Sequence, residues 1–289
     1  MNSFPDLYNL KRVKYFNNLK YKQKLDLEKI KKLLWNSWST EYSLLMTSFI
    51  DDYELYKSSL HWNFPQAYYS VYLSLTAFHH TQQIDANQHE KTIKILNNSI
   101  KDGHYPNSIS FYSKGLYNKF EYLGIENYSN QEDNFNALAR IKKLHDSKLK
   151  IINMLKATRK QNADHKREKV NKSEKRFHTK EGKFTKKFSA THWNYIYVTI
   201  PETTLLNFLF RLRIKSKYHD VETFINVEID FRAFHSYLSN IVGYLNYIHE
   251  AYICKVIGCL EYEKILNNFP KRLNDVRRRK VFKNEKRTV

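Results

Sequence analysis

The stretch from residue 63 to residue 100 limits the fold of this chain more than any other part of the sequence. It contains AYYSVYLSLTAF, a short polar turn and HEKTIKILNN. A spacing of three and four residues predicts a helix with one apolar face, formed by Ala67, Tyr68, Val71, Tyr72, Leu75 and Phe78. Asn63 is predicted to cap this helix, with Pro65 in its first turn. Asn87 and Glu90 form a capping-box pattern that predicts the start of a second helix.

Long helices are predicted through much of the remaining chain, because glycine and proline number only 6 and 5 in 289 residues. The first half is predicted to contain helices at about 22–57, 108–122 and 132–165. In the second half, NYIYVTI is interpreted either as a short strand or as an extended lead-in to a helix with Pro201 in its first turn. A long helix is predicted after Asp230, which is its expected cap.

The fold class predicted from these patterns is all-α, with a basic insertion and a long C-terminal helix. The predicted divisions are an N-terminal bundle at 1–155, a basic linker or insertion at 156–190, a C-terminal helical part at 191–270 and a basic tail at 271–289. No apolar run approaches the roughly 18 residues of a membrane helix, and the start lacks the apolar middle of a signal peptide. We therefore expect a cytoplasmic protein without a membrane partner.

Cysteine usage agrees with a reducing compartment, since the chain has only Cys254 and Cys259. Five residues apart on a predicted helix, the two thiols are expected to face different directions and to pack in the core. No set of nearby His and Cys residues completes a zinc site, so no metal is expected.

Positive charge is concentrated in two segments of the chain, whose formal net charge is +20. Residues 156–187 hold 13 Lys and Arg against 4 Asp and Glu, and residues 271–289 hold 9 against 2. Such segments are suited to contacts with phosphates, although a solvated helix tail or linker has the same composition. The candidate nucleic-acid-binding residues are Lys166, Arg167, Lys175, Arg176, Arg211, Arg277, Arg278 and Arg279.

The helical hairpin and the long helix before it resemble the HEPN superfamily of nucleotide-binding domains, over about residues 22–101. The resemblance implies an HEPN-like up-and-down bundle that is usually dimeric. Many members are metal-independent ribonucleases of abortive-infection and toxin–antitoxin systems. The implied partners are RNA, a second copy of the chain and a neutralising or activating protein, and no cofactor is implied.

An Arg followed four to six residues later by a His is the active-site pattern that the resemblance implies, and three pairs match it. Arg213–His219 is favoured because it ends an apolar helix and precedes a long one, and the nearby Arg211 could share its role. Arg159–His165 lies in the basic segment and is the second choice. Arg140–His145 is interpreted as part of one exposed stripe, and spacing alone also leaves open that no pair is catalytic.

The chemistry expected of such a pair is specific to RNA, which carries its own nucleophile in the 2′-hydroxyl. A His can move the proton, and an Arg can neutralise charge on the phosphate. Two alternatives remain at this level. One is a non-catalytic nucleic-acid-binding or adaptor protein, and the other is a helical subunit whose basic segments bind an acidic partner.

Overall fold

The computed structural model describes six ranges of the chain: 10–86, 88–116, 118–124, 144–179, 182–216 and 230–270. These residues are mostly helical, in agreement with the predicted all-α class, and they include one two-stranded hairpin. In chain order the helices and strands are α1 (Lys14–Asn18), α2 (Leu27–Ile50), α3 (Tyr53–Ser58), α4 (Leu60–Thr81), α5 (His89–Lys101), β1 (Tyr112–Leu116), β2 (Lys119–Leu123), α6 (Leu144–Ser173), α7 (Ala190–Thr199), α8 (Leu205–Lys215), α9 (Phe231–Ile257) and α10 (Cys259–Asn267).

The chain divides into two compact units that differ from the predicted divisions. Unit 1 comprises residues 1–92, 103–106 and 212–289, and unit 2 comprises residues 93–102 and 107–211. The division falls within α5 and within α8. The predicted boundary between residues 155 and 156 falls inside the continuous helix α6.

Unit 1 is built around α2, α4 and α9, which pack against one another. Five of the six residues of the predicted apolar face of α4 are buried, namely Ala67, Tyr68, Val71, Leu75 and Phe78, and Tyr72 is half-buried. The long helix α9 begins where predicted, with the Asp230 carboxylate accepting a hydrogen bond from the Ala233 amide at 3.0 Å.

The starts of the N-terminal helices differ from the prediction. The single helix predicted at 22–57 is two helices, because Asp51 adopts a left-handed conformation and Asp52 caps α3. Asn63 does not cap α4 but lies inside it, donating to the Ser59 hydroxyl at 2.9 Å. Pro65 is likewise inside the helix, where it cannot donate the usual hydrogen bond. Leu60 is buried, and its burial favours the earlier start.

A buried polar network joins the three central helices of unit 1. The Asn246 amide donates to Glu41 at 2.6 Å and to the Ser70 hydroxyl at 2.7 Å. The Ser74 hydroxyl lies 2.7 Å from the Asn246 carbonyl oxygen and 2.8 Å from His249 Nδ1. Because these groups are satisfied by one another, the network favours a single arrangement of α2, α4 and α9.

Unit 2 contains an antiparallel hairpin where a helix at 108–122 was predicted, so that prediction is wrong. Strands β1 and β2 pair from Tyr112↔Leu123 to Leu116↔Lys119. Gly115 has a φ of +105° and Asn118 a φ of +59°, which are turn and bulge conformations rather than helical ones.

The basic segment after residue 155 continues as helix to Ser173. Ala163 and Val170 on α6 pack with Phe177, Ile196 and Tyr197 in one apolar cluster. The NYIYVTI segment is neither strand nor extended lead-in, because its residues lie in α7 except for the last, Ile200. Pro201 therefore follows one helix, and the next begins at Leu205.

The C-terminal helix predicted to run without interruption is divided at Gly258, whose φ is +88°. The turn brings Cys254 Sγ and Cys259 Sγ to 2.9 Å, so the prediction that the two thiols face different directions is wrong. Cys254 is buried as expected, whereas Cys259 is exposed. Among the described helices, none combines the length and apolar character needed to cross a membrane.

Candidate functional site

Arg159 is a buried cation that binds backbone oxygens of unit 2. Its Nη1 donates to the Pro201 carbonyl at 3.0 Å and to the Ser113 carbonyl at 3.4 Å. Its Nη2 donates to the Gly115 and Tyr197 carbonyls at 3.0 and 3.2 Å. The side chain is only 2% exposed, and burial lowers the pKa of its guanidinium. These contacts describe a structural role, in which one side chain connects α6, β1 and the segment after α7.

His165, the predicted partner of Arg159, is exposed on α6. Six residues rotate by about 600° around a helix, which is one full turn plus about 240°. The side chains of Arg159 and His165 therefore lie on different faces of α6. The structure therefore does not bring this pair together.

Arg213 has a different environment, in the last turn of α8. Its side chain is half-buried, and its guanidinium carbon lies 5.0 Å from the ring centre of Tyr69 and 5.7 Å from that of Tyr68. These are cation–π contacts, in which the ring faces attract the cation. His219, its predicted partner, lies outside the described residues, as do Arg140, Arg277, Arg278 and Arg279. The side chain of His145 is likewise outside them.

His89, the first residue of α5, is the histidine that the structure places beside Arg213. Its Nδ1 lies 2.9 Å from the Tyr68 hydroxyl, and its ring centre lies 4.5 Å from that of Tyr72. Burial, and then the charge of Arg213, lower the pKa of His89. We name Arg213, His89, Tyr68, Tyr69 and Tyr72 the tyrosine-lined cluster. All five residues belong to unit 1.

In the sequence, His89 is only the first residue of HEKTIKILNN, the segment predicted to form the second helix. Its pairing with Arg213 could not be found by spacing, because the two residues come from α5 and α8. The contact depends on the tyrosines of α4, which lie next to both side chains.

The cluster has the groups needed to move a proton beside a phosphate. A lowered pKa keeps the His89 imidazole neutral near pH 7. When the Tyr68 hydroxyl donates to Nδ1, the proton is on Nε2, which can then donate; in the other tautomer Nε2 can accept. Arg213 supplies a cation for the phosphate. Tyr69 and Tyr72 are half-buried, so their rings are accessible for stacking with a base.

A second surface, in unit 2, combines cations with aromatic rings. The Arg167 guanidinium carbon lies 5.2 Å from the Phe188 ring centre and 5.6 Å from that of Trp193. Its Nη2 also donates to the Lys186 carbonyl at 2.8 Å. We name Arg167, Phe188, Trp193 and the exposed lysines nearby in the chain the basic aromatic surface; these lysines are Lys172, Lys175, Lys183, Lys186 and Lys187.

The other predicted binding residues differ in exposure. Lys166 is half-buried on α6, and Lys175 is exposed. The side chain of Arg176 lies outside the described residues. Arg211 is half-buried, its Nη1 lies 3.4 Å from the Thr158 hydroxyl, and burial lowers the pKa of its guanidinium. Arg211 is therefore held inside unit 2 and does not share the surroundings of Arg213.

Comparison with known proteins gives no relative: no family model, no curated protein and no solved structure matches the chain. Within the part of the chain that the structure describes, no group of three or more His, Cys, Asp or Glu side chains is placed to hold a metal ion.

Proposed function

We propose that the protein is a metal-independent endoribonuclease of the HEPN type, with its reaction centre at the tyrosine-lined cluster. The observation that carries the proposal is the position of His89, whose imidazole is oriented by Tyr68 and lies in the field of Arg213. The resemblance over residues 22–101 supports the same reaction class and suggests a role as an anti-phage defence or toxin effector.

The proposed reaction is an internal transfer at an RNA phosphodiester. The 2′-oxygen forms a bond to phosphorus while the bond from phosphorus to the 5′-oxygen breaks, giving a 2′,3′-cyclic phosphate and a 5′-hydroxyl. His89 accepts the proton of the 2′-hydroxyl, and Arg213 neutralises the charge that develops on the phosphate oxygens. His219, predicted from its spacing to Arg213, protonates the leaving 5′-oxygen.

The basic aromatic surface supports RNA as the substrate. Phosphates bind to lysine and arginine through charge, and bases stack on aromatic rings without regard to sequence. Four of its five exposed lysines lie in the chain segment that follows α6, and Lys172 lies in the last turn of α6.

The test is cleavage of mixed cellular RNA in EDTA by the wild type and by His89→Gln, with His61→Gln as a matched control on α4. We expect cyclic phosphate ends from the wild type and a loss of about 100-fold or more from His89→Gln, because general acid–base groups typically contribute that much. The control should cleave like the wild type. Equal cleavage by the wild type and His89→Gln would remove the proposed site.

A non-catalytic RNA-binding or adaptor protein is the second candidate, and the basic aromatic surface favours it because that surface needs no reacting group. It predicts RNA binding that weakens steeply with salt and is not followed by cleavage. A wild-type protein that binds RNA and leaves every strand intact would establish this alternative.

A further inference from the structure

Unit 2 contains an open pocket of about 500 Å³, which lies within the size range of small-molecule sites. Its lining comes from α5, from the end of β1, from Arg159 on α6 and from residues 197–202. All of these belong to unit 2. The pocket is distinct from the tyrosine-lined cluster, whose members belong to unit 1.

Hydrogen-bond donors line one part of this pocket. Lys94 and Asn98 are exposed, and they lie one turn apart on α5, which places them on the same face. Arg159 also lines the pocket, and its Nε is buried without a hydrogen-bond partner among the described residues. A buried donor without a partner is unfavourable, so an acceptor supplied by a ligand would stabilise it.

The charges of the lining also favour an anion. The positive charge of Arg159 is balanced by carbonyl and hydroxyl oxygens, which are neutral. Glu202, the acidic residue of the described lining, already pairs with Lys101 at 3.5 Å. The described lining holds three cations, Lys94, Lys114 and Arg159, against the single carboxylate of Glu202, so its net positive charge favours an anionic group.

Apolar side chains line another part of the pocket. Leu116 is 39% exposed and Val198 is 71% exposed, both unusual for residues of their type. The centre of the Tyr197 ring lies 5.6 Å from the guanidinium carbon of Arg159. A flat, weakly polar group would cover this apolar surface and remove it from water.

We propose that this pocket binds a nucleoside monophosphate. Its phosphate contacts Lys94, Asn98 and Arg159, and its base lies against Leu116 and Val198. The inference does not depend on the proposed nuclease activity, because it uses different residues and requires no reaction.

The experiment is calorimetric titration of the full chain with adenosine monophosphate, adenosine and inorganic phosphate. Lys94→Ala removes one of the two exposed lysines that line the pocket, the other being Lys114. Val198→Glu places a carboxylate on the apolar wall, and Lys91→Ala is the matched control on the same helix. We expect the monophosphate to bind more tightly than either of its parts. Lys94→Ala should weaken that binding about tenfold, which is the size of one charge-assisted hydrogen bond.

Val198→Glu should reduce binding of the monophosphate more than Lys94→Ala does, whereas Lys91→Ala should leave it within about twofold of the wild type. Circular dichroism confirms that each variant is folded, which the exposure of the three side chains favours. The proposal is overturned if the monophosphate does not bind, if adenosine or phosphate binds equally well, or if Lys91→Ala weakens binding as much as Lys94→Ala.

Discussion

Arg159 in unit 2 and Arg213 in unit 1 have the same residue type and the same spacing to a histidine, yet their surroundings are opposite. Arg159 is buried and donates to four backbone carbonyls. Arg213 is half-buried and rests on two tyrosine rings beside a third residue, His89. A spacing motif on a helix therefore determines neither the exposure of the two side chains nor the groups that they contact. Those depend on the residues that the fold brings near from other elements.

The largest effect is expected from Arg159→Met, which should lower the free energy of unfolding by about 3–5 kcal/mol. The change keeps an unbranched side chain but leaves the Pro201 and Gly115 carbonyls without their donor. Arg213→Met should cost less than about 1 kcal/mol, because its contacts are half-exposed. Urea denaturation of both variants measures the contrast, and equal losses would contradict the two roles.

A second prediction concerns His249, a buried histidine of unit 1, in contrast to the half-buried His89. Burial lowers the pKa of His249 to about 3 and that of the neighbouring His79 to about 4. The unfolded chain, with a histidine pKa of about 6.5, therefore binds more protons between pH 6.5 and 3. Stability should be full above pH 6.5 and should fall as the pH falls, by about 2–4 kcal/mol for His249 at pH 4.

Unfolding by urea at pH 7 and pH 4 tests the buried histidine, with His249→Gln as the variant and His89→Gln as its half-buried counterpart. The His249 variant should lose less stability between the two pH values than the wild type, because one proton uptake is removed. Identical losses in wild type and His249→Gln would show that the buried histidine does not oppose acid unfolding.

Gly115→Ala should destabilise unit 2 by about 1–3 kcal/mol, because a side chain is strained at its φ of +105°. A Cβ there would also lie 2.2 Å from the Lys119 carbonyl oxygen. Gly182→Ala is the control, since its φ is also positive, at +75°, but its added Cβ would meet nothing within 4 Å. Thermal unfolding should separate the two variants. A similar small loss in both would indicate that the hairpin does not depend on close approach at Gly115.

Arg167→Ala is expected to have the smallest effect of the series on free energy. Removal of a cation that lies over Phe188 and Trp193 should weaken RNA binding about tenfold. The salt dependence of the binding constant should also fall, by the amount expected for the loss of about one phosphate contact. Arg12→Ala, at an exposed arginine of unit 1, is the comparison for the half-buried Arg167. Equal weakening by both changes would mean that net charge, rather than the basic aromatic surface, binds RNA.

Local signals in the sequence predicted the elements whose patterns are complete within one segment. The apolar face of α4 and the Asp230 cap of α9 are of this kind. The hairpin and α7 were missed because aromatic and β-branched residues suit both helices and strands. The first segment forms a hairpin because of the backbone conformation at Gly115. The second begins a helix at the Ser189 hydroxyl, which accepts a hydrogen bond from the His192 amide at 3.3 Å.

Local sequence patterns predicted the candidate site only in part. Arg213 was selected by its place at the end of an apolar helix, and that place is observed. His89 was not selected as a reacting group, because no single segment contains both it and Arg213. The connection is made by tyrosines of α4, whose spacing predicted a packed face and not a contact between two polar side chains.

The assignment of Arg213 to the reaction centre is tested by measuring RNA cleavage in EDTA by Arg213→Ala, alongside the thermal unfolding of the variant. We expect Arg213→Ala to lose about 100-fold or more of the cleavage, because a cation beside the reacting phosphate is removed, and to unfold at a temperature close to that of the wild type. A folded Arg213→Ala that cleaves RNA as fast as the wild type would contradict the assignment of the tyrosine-lined cluster as the reaction centre.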